Sequence, residues 1–217
     1  MLDLIKQALF QRGYRLATRP YELNIVGLRT NYSQPNTFDD VLAVCYTDAS
    51  GNWQLHRWSC TTDPGTYWLQ NPMNPQGTAV LKPGQYAGCY AMGLHRGKYT
   101  ALVQVKPVTV LRDADRNGSP NYNTSSQQTG MFGINIHRAN QQGTTKLVDR
   151  YSAGCQVFAN AEDFAQFLGL CQEHRQRYGN SFTYTLLAGL PFVPAQPQSV
   201  PIIPQPQAAK NGLRPVL

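Results

Sequence analysis

No stretch of this sequence approaches the roughly 18 uninterrupted apolar residues that a membrane-spanning helix requires, so stable insertion is not expected. The opening, MLDLIKQALFQRGYRL, interrupts Leu2, Ile5, Leu9 and Phe10 with Asp3 and Lys6. It therefore lacks the clean apolar centre of a secretory signal and reads as a short amphipathic helix. The five cysteines, at 45, 60, 89, 155 and 171, include no Cys-x-x-Cys pair, which argues against a zinc ribbon or a thioredoxin-like site. Their odd number and the missing leader predict free thiols in a reducing compartment. The four histidines lack a His-Glu-x-x-His spacing, so neither zinc nor any other cofactor is expected. There is no internal repeat.

Charge is scarce, at 14% of residues, yet the net balance is +7. Residues 1–20 contribute +3 (Lys6, Arg12, Arg15 and Arg19 against Asp3) and residues 191–217 contribute +2 (Lys210 and Arg214), so only +2 remains for the body. A nucleic-acid binder would carry a basic stripe with interleaved aromatics on its folded surface, and that class is set aside. Attraction to an anionic surface, such as a bacterial cell wall, fits the same distribution.

What is present is a loop-rich chain of 217 residues with 18 glycines and 15 prolines, long enough for one core. YELNIVGLR, DDVLAVCYTD, NWQLHRWSC, TAVLKPGQY, KYTALVQVKPVTVLRD, MFGINIHR and FTYTLLAGL read as strands between turn-rich connectors. One substantial helix begins at the N-cap Asn160, buries Phe164, Phe167, Leu168 and Cys171, and stops at Gly179. The fold class is mainly β, a β-rich α+β chain. The expected organisation is an N-terminal helix and linker (1–20), a domain (21–190), and an extended tail (191–217) with seven prolines in 27 residues.

Among possible sites, Asp113, Asp115, Asn117 and Gly118 match the opening of a calcium loop. Position twelve is Thr124 rather than glutamate, so a polar turn capping its own backbone is favoured. His174 reads as a solvated helix residue, and His56 and His95 as histidines without partners. His137 and Cys155 differ, because their surroundings converge on one chemistry. A histidine ends one apolar run, and a cysteine in Ser-Ala-Gly-Cys opens another 18 residues later. An imidazole on a neighbouring strand can raise the thiolate fraction of a cysteine and act as its base. Gly154 permits the close backbone approach that an oxyanion hole needs, and Ser152 can bond locally or orient the imidazole.

This His-loop-Ser-x-Gly-Cys order resembles the catalytic signature of the L,D-transpeptidase (YkuD-like) family, over about residues 78–160. NIVGLR, TTDPG, LKPGQY, GINIHR and SAGCQVF carry the wider likeness. The resemblance implies a β-sandwich, Cys155 as nucleophile, His137 as base, Ser152 and Gly154 shaping the site, and peptidoglycan stem peptides as substrate. It departs at two positions: Arg138 stands where the family has glycine, and Val157 where it has arginine. Arg138 or Arg150 would then have to recognise the donor carboxylate. With no second acceptor site evident, cleavage is slightly favoured over transfer. A phage lysis or virion-associated protein, cytoplasmic until delivered to the wall, fits the missing leader. The rival reading is a non-enzymatic wall-binding or virion structural protein.

Overall fold

Every residue of strands β1 (Asn24–Arg29) and β2 (Asp40–Thr47) is buried, which requires cover on both faces. In the computed structural model, which describes residues 1–30, 34–124 and 126–190, two helices supply it. Ile5, Ala8 and Leu9 of α1 (Leu2–Gln11) pack with Val26, Leu28, Val41, Ala43 and Cys45. The alternate residues Ile25, Leu42 and Val44 share a core with Phe164, Phe167 and Cys171 of α3 (Ala161–Tyr178). Burying Ile5 and Leu9 contributes roughly 1.5–3 kcal/mol each, which holds the expected N-terminal helix against the sheet. Phe10, expected on the packed stripe, is instead 85% exposed. The proline-rich tail lies outside the described residues.

The mainly β class holds. Along the chain follow β3 (Trp53–Thr61), α2 (Thr66–Gln70), β4 (Thr78–Leu81), β5 (Gly84–His95), β6 (Tyr99–Gln104), β7 (Val108–Asp113), β8 (Gln127–Gly130), β9 (Ile136–Arg138) and β10 (Gln156–Phe158), with β11 (Phe182–Ala188) after α3. Eight strands close into a barrel in the order β1-β11-β5-β6-β9-β10-β3-β2, and β4-β7-β8 form a second sheet. The large sheet thus closes on itself where a sandwich was expected. Most neighbours are antiparallel; β1 with β11 and β9 with β10 are parallel.

The helix α3 starts and stops as its sequence dictates. Asn160 Oδ1 accepts from the N–H groups of Glu162 (2.7 Å) and Asp163 (3.1 Å), and Gly179 ends it at φ 85°. His174 is not solvated as expected. It is buried, accepting from Leu23 N at 3.1 Å through Nδ1, so its Nε2–H donates to Ser181 O at 3.2 Å. Strand β5 carries Gly88 and Gly93 in its interior, which hides its second half from pattern reading. Among the described residues no helix is long and apolar enough to cross a membrane.

Candidate active site

The Ser-Ala-Gly-Cys turn is a tight backbone device. Ser152 is fully buried; its Oγ donates to Cys155 O (2.8 Å) and accepts from Gly154 N (3.2 Å), while its carbonyl accepts from Gly65 N (2.9 Å). Gly154 sits at φ 124°, and a Cβ there would lie 2.3 Å from Ala79 O. Ser152 and Gly154 therefore shape the turn, as expected, but Ser152 orients backbone rather than an imidazole.

Strands β9 and β10 run parallel, with Gln156 opposite Ile136 and Val157 opposite His137. This register places Cys155 level with Asn135, two residues before His137. Cys155 Sγ accepts from Asn135 N at 3.4 Å and its thiol donates to Gly133 O at 3.3 Å. No hydrogen bond joins it to His137. All five cysteines are free; four are buried, and Cys155 alone reaches solvent in part. The neighbouring amides are occupied, Gly154 N by Ser152 Oγ and Gln156 N by Asn135 O.

His137 is 4% exposed. Its Nδ1 lies 2.8 Å from Arg138 O, a carbonyl that only accepts, so Nδ1 carries the hydrogen and Nε2 keeps its lone pair. Tyr99 Oη sits 3.3 Å from the same Nδ1 and donates to Arg138 O at 3.2 Å. Stacked on this imidazole at 4.1 Å and 24° is His95, which therefore does have partners. Asn135 fixes its tautomer. Asn135 Oδ1 accepts from Gln104 N (2.9 Å), so Nδ2 donates to His95 Nδ1 (3.0 Å), leaving the hydrogen on His95 Nε2.

Buried Gln104 holds the segment that faces Cys155. Its Oε1 accepts from Phe132 N and Ile134 N, and its Nε2 donates to Lys106 O and Gly130 O. Sequence reading missed Gln104, His95, Tyr99 and Asn135. The only signal available was Asn135, spaced two residues from His137 and so on the same strand face.

Burial lowers the His137 imidazole to about 3, helped by the adjacent His95, while the hydrogen bond to Arg138 opposes the shift. Burial also raises the Cys155 thiol, against the opposing hydrogen bond from Asn135 and the charge of Arg96. The resting pair is thus neutral thiol and neutral imidazole, not the thiolate-enriched pair expected from spacing. The His137 shift has a stability consequence. Its folded value lies below the unfolded value of about 6.5, so the unfolded state takes up the proton first on acidification. This contribution is present above pH 6.5 and is lost as pH falls toward 3. Asp40, raised to about 7 by burial and the nearby Asp63, works oppositely: its contribution is present below the unfolded carboxylate value of about 4 and is lost as pH rises to 7. Between pH 7 and 4, denaturation of wild type compared with His137→Gln should therefore show the wild type losing about 3 kcal/mol more. Equal pH dependence would contradict a buried neutral imidazole.

The remaining candidates are dispersed. Arg138 borders the site, its guanidinium 4.3 Å over the Tyr99 ring. Arg150 stacks 3.8 Å over Tyr67 and its carbonyl accepts from Trp68 Nε1, which joins it to α2. In the Asp113 loop, side-chain oxygens of Asp113, Asp115 and Asn117 accept from backbone N–H groups two residues on, the self-capped turn. Among the described residues no cluster of three His, Cys, Asp or Glu side chains is placed to hold a metal. His56 stacks between Tyr46 and Trp58, away from Cys155. A polar cavity of about 310 Å³ beside Arg15, Glu22 and His174 contains none of the candidate residues. No protein-family model, curated protein or solved structure matches this chain.

Proposed function

We propose that this protein is a cysteine-dependent acyl-transfer enzyme acting on peptides, with peptidoglycan stem peptides as the substrate class suggested by the L,D-transpeptidase-like motif. The observation that carries this reading is that Cys155, the one cysteine of five that is not fully buried, immediately precedes a strand parallel to that of a histidine whose Nε2 lone pair is defined by a backbone carbonyl. In the reaction, Cys155 Sγ attacks a peptide carbonyl while His137 Nε2 takes the thiol proton. The C–N bond then breaks, the leaving amine receives that proton, and a thioester remains. Water or an amine attacks the thioester, passing its proton to His137, and the proton returns to sulfur as the C–S bond breaks. Because both groups rest neutral, proton transfer accompanies attack, and substrate must displace the thiol from Gly133 O.

That same thiol contact favours a second reading, a protein that retains the site without turnover and binds the wall or a virion. Incubation with tetrapeptide muropeptides and excess free D-amino acid, followed by mass spectrometry, separates the cases. Exchanged peptides identify a transferase, and shortened peptides alone a hydrolase. No product together with an unreactive Cys155 identifies the non-enzymatic protein.

A further inference from the structure

Each polar atom of Asn135 is engaged, and together they tie the cysteine side of the site to the histidine side. Its N–H donates to Cys155 Sγ at 3.4 Å and its carbonyl accepts from Gln156 N at 2.9 Å. Its Oδ1 accepts from Gln104 N at 2.9 Å, so the amide cannot turn over without setting two N–H donors face to face. Nδ2 therefore stays aimed at His95 Nδ1, 3.0 Å away. A proton added to His95 would have to sit on that same Nδ1, hydrogen against hydrogen. The groups facing His95 leave a cation there without a counter-charge. They are Tyr99 of β6, with ring centres 5.5 Å apart, the His137 imidazole of β9 at 4.1 Å, the cation Arg96 next in the chain, and the Asn135 amide. That set contains no carboxylate. Burial and the charge of Arg96 push the His95 imidazole below its ordinary value, in the same direction. His137 differs: its Nδ1 already carries the hydrogen given to Arg138 O, and its Nε2 lone pair is the place left for a proton.

We infer that His95 is a positioning residue for His137: locked neutral by Asn135, its ring offers an uncharged π face at 4.1 Å to the imidazolium that forms when His137 takes the Cys155 proton. The inference rests on the reactive Cys155 of the proposed function and adds the group that makes its base usable. The two histidines have unlike roles, and one amide sets them. Were that amide a carboxylate, His95 would gain a proton to bond it, and a cation stacked on His137 would oppose the second charge.

Iodoacetamide, which is neutral and needs no known substrate, tests this. Its reaction forms the S–C bond, expels iodide and passes the thiol proton to His137, so its rate at Cys155, read by mass spectrometry, follows the same proton transfer. Asn135→Asp exchanges the amide nitrogen for oxygen and keeps the N–H that meets Cys155. In this variant His95 is expected to be an imidazolium at pH 7 by imidazole nitrogen NMR shifts, and labelling of Cys155 to slow at least about tenfold. Wild-type His95 should keep its neutral Nε2–H form from about pH 8 to about pH 5. His95→Phe and His95→Gln separate the ring from the bond. Phenylalanine keeps an uncharged ring and loses the acceptor for Asn135, whereas glutamine keeps an acceptor and loses the ring. Labelling in His95→Phe should exceed that in His95→Gln about fivefold, whereas a merely structural bond would reverse the order. That ranking and the wild-type shifts decide the matter if Asn135→Asp does not fold. The inference is overturned if wild-type His95 titrates within that pH range, if glutamine matches or exceeds phenylalanine, or if folded Asn135→Asp keeps a neutral His95 or the wild-type labelling rate. In each case a labelled Cys155 leaves the proposed function standing. If folded wild type resists iodoacetamide at Cys155, both fail.

Discussion

Cys155→Ala is expected to lower peptide turnover by at least about 10³-fold while leaving the melting temperature within a few degrees of wild type. The two effects separate because the residue is partly exposed and its thiol, a weak donor and acceptor, makes only two sulfur hydrogen bonds, from Asn135 N at 3.4 Å and to Gly133 O at 3.3 Å. Cys60 and Cys171 provide the converse. Both are 0% exposed in the main core, so alanine there should destabilise the protein by about 1 kcal/mol with turnover per folded molecule preserved. Equilibrium denaturation alongside peptide cleavage or exchange measures both. A Cys155→Ala protein with wild-type turnover would end the catalytic assignment.

Gly154→Ala should be among the most damaging single substitutions, costing more than about 3 kcal/mol. Two independent causes act on one atom. The new Cβ would meet Ala79 O at 2.3 Å, a backbone atom that cannot swing aside, and φ 124° lies where L-residues are strained. Relief would require separating the Ser152 turn from β4 or breaking the Gly154 N to Ser152 Oγ bond. Ser152→Ala should be milder, on the order of 1–3 kcal/mol, since it removes a buried hydroxyl with two hydrogen bonds but introduces no clash. Urea denaturation ranks them. A Gly154→Ala protein within 1 kcal/mol of wild type would show that the turn can open.

Local chemistry determined much of this protein from the sequence. The ends of α3 were legible because an asparagine cap and a terminal glycine act within one turn of themselves, and β1, β2 and β11 because β-branched apolar runs bury wherever they pair. His137 and Cys155 stood out for the same reason, each bordering such a run. The tertiary structure decided what depends on partners far along the chain. Barrel closure needs β1 beside β11, about 160 residues apart, and no local pattern encodes that pairing. The surroundings of His137 come from β5, β6 and the segment before β9, so the stacked His95, the Asn135 bond that sets its tautomer and the Gln104 bracket emerge only when these strands meet. Even the charge state was decided there. Spacing suggested a thiolate partnered by imidazolium, but burial disfavours the charged form of each group, and for His137 the adjacent His95 and the Arg96 and Arg138 charges add to it, so both rest neutral.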